Sequence, residues 1–298
     1  MTVAAAIAVA GGNMAAAGGA SGGFTIADLL PAVWLDLREA GTMWQESYDN
    51  PVVTQTANGQ PVGLLFDIAP GAGATPLGAE MVLTGDMSTS TGWTVPTGWE
   101  ITAGQAVHAA GSTNGYLVYP LSLTAGALYR QQIDLTKSEG TALFNTFGTD
   151  RGYDQVFATS ANGSFSVSAF VRSELDFGSI YGLRVFAYAD TGATADNASV
   201  KPVLGHPAWA AADDERPTFD VTVPRVVHDG VIDQLTIAVG DLGTDATVAT
   251  LVAGAWSYLE GQTIGAGDYD LPTTNWTAVI ILDRALTSQE KASLEAST

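Results

Sequence analysis

Ser88 to Ser112 reads STSTGWTVPTGWEITAGQAVHAAGS, which places Trp93 and Trp99 six residues apart among Gly, Thr and Ser. Two large indoles in a segment so rich in turn formers admit two readings. Either they plug the core of a β-sandwich, as the high average burial of tryptophan favours, or at least one stands exposed to stack on something flat such as a sugar ring. The neighbouring segments decide the fold class. Short alternating runs recur along the chain: GYLVYPLSL from Gly115, GSFSVSAFV from Gly163, YGLRVFAYA from Tyr181, FDVTVPRVV from Phe219, QLTIAVG from Gln234 and WTAVIIL from Trp276. Runs of this length, rich in β-branched and aromatic residues at period two, are strand signals. Turn formers such as ANGQPVG, SANGS and GAGDYD separate them. The class is all-β, as sandwiches rather than a barrel.

Two helices fit the pattern. TIADLLPAVWLDL holds a short one before Pro31, because a residue ahead of proline is biased out of the α region. The second is C-terminal, in DRALTSQEKASLEAST, where Thr287 as N-cap and Glu290 at the third helical position form a capping box and Leu294 can face the sheet.

Composition narrows the function. The 298 residues carry 11 Lys+Arg against 31 Asp+Glu, a net charge of -20. That balance leaves no clustered cations for a phosphate backbone, so nucleic acid is not an expected partner. With no cysteine there is neither a disulfide framework nor a thiolate site. His108, His206 and His228 stand in no HxH, HExxH or Ser-His-Asp context, and no pair among the 31 acids stands out as a glycosidase couple. The expected protein is not an enzyme. Asp213, Asp214 and Glu215 read as a solvated acidic loop.

The opening MTVAAAIAVAGGNMAAAGGASGG, residues 1–23, has no positive charge, and the first in the chain is Arg38. Its apolar run is too short to span a bilayer, so no membrane partner is expected. It reads as a flexible or neighbour-docked Ala/Gly arm. A Gly/Pro joint, GAGATPLGAE, then leads into a strand-rich block from Leu77 to Leu204, and a different strand set follows HPAWAAADDERPTF. The expected organisation is an arm over 1–23, a discontinuous sandwich from 24–76 plus 205–298, and the strand-rich block 77–204 inserted in it as a module of its own.

The inner block resembles carbohydrate-binding jelly rolls of the CBM4/9-like, galactose-binding-like type. The matching residues are GAEMVLTGDMSTSTGWTVPTGWEITAGQAVHAAGS, YLVYPLSLTAGALYRQQIDL and ADNASVKPV. Thr84-Gly85-Asp86-Met87 departs from the usual N-G-D-F opening, and Ala198 stands where Val is usual. The flanks resemble bacteriophage virion proteins in PAVWLDLREAGTMWQESYDNPVV, HDGVIDQLTI and LDRALTSQEKASLEA. The last of these also resembles the final strand and helix of concanavalin A/laminin-G-like jelly rolls.

What the resemblance implies is a set of expectations. Trp93, Trp99, Tyr116 and Tyr119 are the carbohydrate-binding candidates, with Trp93 the better placed of the two indoles and Tyr116 the better exposed tyrosine. Tyr129 is expected to fill core. Such modules often hold a structural Ca²⁺ where their first and last strands meet, and Glu80, Asp86 and Asp196 are the candidate ligands; the alternative is that Asp86 caps a turn. The implied protein is a non-enzymatic virion component at the particle surface, a tail appendage or capsid fibre. Its partners would be other virion proteins, further copies of itself and host-surface polysaccharide, held by many weak contacts. The alternatives are a purely architectural capsid decoration protein and a secreted bacterial adhesin.

Overall fold

The computed structural model describes residues 24–39, 43–44, 56–69, 77–124, 127–146, 154–159, 161–172, 182–210 and 212–297. The arm expected over 1–23 lies outside them. In chain order the first strands are β1 (Val33–Asp36), β2 (Met43–Trp44), β3 (Leu64–Leu65), β4 (Trp99–Thr102), β5 (Gln105–His108), β6 (Gly115–Pro120) and β7 (Leu128–Glu139). Next come β8 (Ala142–Thr146), β9 (Asp154–Thr159), β10 (Gly163–Arg172), β11 (Gly182–Ala187), β12 (Gly192–Pro202) and β13 (Ala208–Trp209). The last are β14 (Thr218–Asp220), β15 (Arg225–Val227), β16 (Thr236–Val239), β17 (Gly243–Val252), β18 (Ala255–Ile264), β19 (Gly267–Asp270) and β20 (Ala278–Leu282), before helix α1 (Ser288–Glu295). The fold is all-β with one short C-terminal helix.

Two sheets are built from the middle of the chain, in the orders β10-β7-β12-β5-β4 and β6-β11-β8-β9. Alternation sets what lies between them. In β6 buried residues alternate with more open ones, so Leu117 and Tyr119 point inward while Tyr116 stays exposed. β7 likewise sends Tyr129, Ile133 and Leu135 inward, and they meet Leu183 and Val185 of β11 in one apolar cluster. Trp93 and Trp99 belong to that cluster, so the two indoles plug the core. Tyr129 fills it as expected, with its hydroxyl accepting from Thr124 N–H at 2.8 Å.

The other pair of sheets draws on both ends of the chain: β1-β20-β17-β18 and β19-β16-β13-β3-β2. Val33, Leu35, Leu65, Ile237, Val248, Val279 and Ile281 fill the space between them. The opposite face of the first sheet is also covered. The 3-10 helix Ile26–Leu29, α1 and the residue before its cap bring Ile26, Leu29, Leu294 and Leu286 onto Ala249, Leu251, Ile280 and Leu282. Burial on both faces explains why β20 reads AVIIL with no polar alternation.

The helix expectations hold. The segment before Pro31 is a single 3-10 turn, and Thr287 and Glu290 form a capping box in α1. Glu290 also receives Arg284 at 2.8 Å. That guanidinium first, and Thr287 second, hold the Glu290 carboxyl down at about 2 instead of 4.5. A depressed folded-state value means stability that is present in full above 4.5 and lost as pH falls toward 2. Arg284 is 42% exposed, so solvent screening limits the contribution to about 1 kcal/mol. Thermal melts from pH 7 down to pH 2.5 should show Glu290→Gln losing less stability than the native chain; parallel pH curves would mean the ion pair contributes nothing.

Two local expectations differ from the structure. FDVTVPRVV is a hairpin, β14 with β15, rather than one strand. Asp220 Oδ1 accepts from the Thr222 N–H at 3.0 Å, which bends the chain, and Pro224 offers no N–H to continue a ladder. The long β17–β18 hairpin is absent from the alternating runs read in the sequence. It turns through Ala253 and Gly254, at φ 51° and 81°. A two-residue turn with both central φ positive suits a hairpin, but alanine is not its usual residue, so the turn gives little local signal.

The two pairs of sheets meet at a satellite cluster of Leu64, Phe66, Leu128, Phe170 and Val203, with Trp44, Leu77 and Trp209 packed on it. Trp44, Phe66 and Phe170 sit with ring centroids 5.4 to 6.1 Å apart. Leu77 and Val203 form a bridge where the middle segment begins and ends. Beside it lies Asp67, 1% exposed. It accepts the N–H groups of Trp34 and Ala69 on Oδ1, each at 2.9 Å, and that of His206 on Oδ2 at 2.8 Å. Burial pushes this carboxyl above the usual carboxylate range, against the pull of those three N–H groups.

Candidate functional site

β6 and β11 are antiparallel neighbours, with Tyr116 opposite Phe186, Val118 opposite Arg184 and Tyr119 opposite Leu183. One face of this pair supplies Leu117, Tyr119, Leu183, Val185 and Ala187 to the core. Period two therefore places Tyr116, Val118, Arg184 and Phe186 together on the other face. There the Tyr116 and Phe186 rings lie 4.4 Å apart at 36°, and Tyr188, just past the end of β11, meets Phe186 edge-on at 4.7 Å and 81°. The Arg184 guanidinium carbon stands 4.6 Å over the Tyr116 ring. Phe186 is 8% exposed, whereas Tyr116 and Tyr188 are each 42% exposed. The result is a short aromatic strip: a buried phenyl props up two half-open phenols, and a cation backs one of them.

Glycines set the spacing beneath the strip. A Cβ on Gly182 would stand 2.0 Å from the Tyr119 carbonyl oxygen, so β11 can approach β6 this closely only without a side chain there. A Cβ on Gly115 would press on Pro96 Cγ at 3.0 Å, next to Tyr116.

Of the expected ligand-binding aromatics, only Tyr116 is open. Trp93 is 8% exposed, Trp99 6% and Tyr119 9%. The Trp93 indole N–H donates to Thr84 O at 3.1 Å and its ring meets Tyr119 edge-on at 5.1 Å. Trp99 donates to Gly115 O at 3.1 Å. The Tyr119 hydroxyl accepts from Leu83 N–H at 3.3 Å. Their polar atoms are bonded inside and their rings pack in the core, so of the four expected aromatics the structure puts Trp93, Trp99 and Tyr119 inside and Tyr116 on an open face. Arg184, Phe186 and Tyr188 were missed. Their signal was present in LRVFAY, whose alternation puts Arg184, Phe186 and Tyr188 on one side, but nothing local told which side was open.

The three carboxylates considered for calcium are held separately. Glu80 does join the two ends of the inner block, as its Oε1 accepts the N–H groups of Met81, Val82 and Val200 at 2.8 to 3.0 Å and Ser199 donates to Oε2. Asp86 caps a turn, taking the N–H and hydroxyl of Ser88, and those bonds lower its carboxyl below the ordinary range. Asp196 accepts from Asn197 N–H at 2.7 Å. Among the described residues no group of three His, Cys, Asp or Glu side chains is placed to hold a metal ion. Glu80, Asp86 and Asp196 are thus each held by their own hydrogen bonds and do not converge on one point as the described residues lie. Within the acidic loop, Asp214 and Glu215 lie in the 3-10 turn Asp213–Glu215.

No protein-family model matches the chain, and no curated protein matches it. Among solved structures, the chain is similar to one titled "Family 16 Carbohydrate Binding Module-2", at 11% identity, a TM-score of 0.33, and coverage of 40% of this chain and 98% of that one. It is also similar to one titled "CBM4 structure and function", at 14% identity and a TM-score of 0.25, covering 52% of this chain and 96% of that one. Both neighbours are carbohydrate-binding modules by title. At these values the functional reading rests on the side chains of the aromatic strip instead.

Proposed function

We propose that the chain is a non-enzymatic glycan-binding protein of a virion surface, with the Tyr116–Phe186–Tyr188 strip as its ligand face. The observation that carries this reading is the pair of half-open tyrosines on one sheet face, fixed through a common buried ring. Flat aromatic faces suit the C–H groups of a pyranose, and phenol hydroxyls can bond its hydroxyls. Two open rings make a shallow, weak site, which serves attachment when many copies act together. In this reading residues 77–204 form the ligand-bearing jelly roll, inserted in a second sandwich from 24–76 plus 205–298. The second sandwich joins the particle through other virion proteins, and the Ala/Gly arm at 1–23 anchors it. The support for the virion role is the likeness of the flanking sequences to phage structural proteins.

A glycan array probed with the native chain, Tyr116→Ala and Tyr188→Ala tests the ligand face. Each substitution should weaken binding about tenfold, the value of one stacked ring at roughly 1.4 kcal/mol. Unchanged binding in both variants would move the site elsewhere. Immunogold labelling of intact particles with an antibody to residues 77–204 tests the location: bare particles with label on bacterial cells would point to an adhesin.

A further inference from the structure

The proposed ligand face depends on two loops that adjoin β6 and β11, and both are tied to one buried histidine. His108, the last residue of β5, is 1% exposed. Its Nδ1 stands 2.7 Å from the Thr191 carbonyl oxygen and its Nε2 3.0 Å from that of Thr113. Both partners are acceptors. The two bonds can form together only if both ring nitrogens donate, and only the doubly protonated imidazolium carries two N–H groups. With one proton, a ring lone pair would face a carbonyl oxygen at hydrogen-bonding distance, and a buried acceptor would lose its partner.

Thr113 lies three residues before Tyr116, and Thr191 three residues after Tyr188. The two loops are also joined to each other. Gly111 N–H donates to Ala189 O at 2.7 Å, and Ala189 N–H donates to Asn114 Oδ1 at 2.6 Å. Thr191 N–H returns to Tyr188 O at 2.9 Å. Gly98 backs the arrangement: a Cβ there would stand 2.7 Å from Thr113 O and 3.1 Å from His108 Nε2.

We infer that His108, doubly protonated, is a positioning residue that pins Thr113 and Thr191 and so sets the spacing of Tyr116 and Tyr188 across Phe186. The consequence is pH-dependent ligand binding, tighter on the acid side. This inference rests on the reading of the strip as the ligand face. Several groups face His108. Trp99 of β4 packs its ring 5.2 Å away. Ala193 of β12 is its register partner, and the same residue pairs on its far side with Lys137 of β7. The Lys137 ammonium donates to Gly140 O and Asn162 Oδ1, both at 2.7 Å. Glu139 lines the cleft beside His108, and Asp190 sits in the turn that ends at Thr191.

The test uses the full chain with isotope-labelled Tyr and His side chains, followed by NMR between pH about 5 and about 8, where an imidazole changes charge. The Tyr116 and Tyr188 ring signals should move in step with those of His108. In His108→Gln, whose side chain has no proton to lose, they should stay still. His206 and His228 lie outside this sandwich and serve as internal controls. Tyrosine signals that do not move in the native chain, or that move equally in His108→Gln, would overturn the inference. If the variant fails to fold, the native titration alone decides. The glycan array, repeated at pH 5.5 and pH 8 with Tyr116→Ala alongside, separates the two claims. Binding at least threefold tighter at pH 5.5 supports both. Binding that Tyr116→Ala abolishes but pH leaves unchanged overturns the pin alone. No binding at either pH, with tyrosine signals that still follow His108, supports the pin and overturns the ligand reading.

Discussion

Asp67→Ala should lower the unfolding free energy by about 3–5 kcal/mol, because three N–H donors lose their acceptor at once. The carboxylate takes N–H groups from three separate places: Trp34 in β1, Ala69 in its own loop and His206 on the returning chain. Alanine accepts none of them, and each buried donor left without an acceptor costs about 1–3 kcal/mol. Gly205 leans on the same group, since a Cβ there would stand 2.7 Å from Asp67 Oδ2. Asp67→Asn keeps one acceptor oxygen and should lose less. Urea unfolding followed by tryptophan fluorescence measures both, and an alanine variant as stable as the native chain would mean that water reaches the three amides. The pH dependence has its own sign. Burial raises the Asp67 carboxyl in the folded state, so between the ordinary 3.8 and that raised value the folded chain binds more protons than the unfolded one. In that window stability falls as pH rises, the opposite of Glu290, and Asp67→Ala should remove the slope.

Gly85→Ala should cost about 3 kcal/mol, at the upper end of what overpacking does. A Cβ on Gly85 would stand 1.8 Å from the Ala198 carbonyl oxygen and 2.9 Å from its carbon. Both are backbone atoms, so no side chain can swing away. The two residues are already joined, Ala198 N–H donating to Gly85 O at 2.9 Å. This contact falls where β12 shifts register between Asp196 and Ser199, with Asn197 at φ 50°. Spreading the pair would pull the first segment of the inner block off its last strand and loosen Val82 and Met87 in the core. Gly265→Ala is the control: a Cβ there meets nothing within 4 Å, and the substitution should be nearly neutral. Equal midpoints for the two variants in urea would mean that the backbone at Gly85 has room to move.

Much of the fold was legible in local sequence, for reasons that particular elements make plain. GYLVYP, GSFSVSAFVR and AVIIL each form the strand that their period or apolarity predicts, because alternation and β-propensity act over neighbours in the chain. The Thr287 and Glu290 box was readable for the same reason, since a cap satisfies N–H groups only three residues away. The FDVTVPRVV hairpin was misread because two short strands and their bend share one run of β-branched residues. The β17–β18 turn was missed because Ala253 takes a positive φ that its ladder, not its side chain, imposes.

The candidate site was legible only at Tyr116. A strand pattern separates two faces but cannot say which one a second sheet will cover, so Trp93, Trp99 and Tyr119 stayed candidates beside the better exposed Tyr116 until the sandwich closed over them. Phe186 stands beside Tyr116 through a pairing 70 residues long in sequence, and Thr113 meets Thr191 at His108 through one of 78, as the residue numbers show. Local sequence and residue counts were enough for an all-β chain, its main alternating strands, its closing helix and a net charge of -20. Those follow from interactions along a few residues and from total charge. Which aromatics are open, which carboxylates are already bonded and which histidine joins the two loops came from the folded arrangement, because register, coverage and burial are set by segments that meet only once the chain has folded.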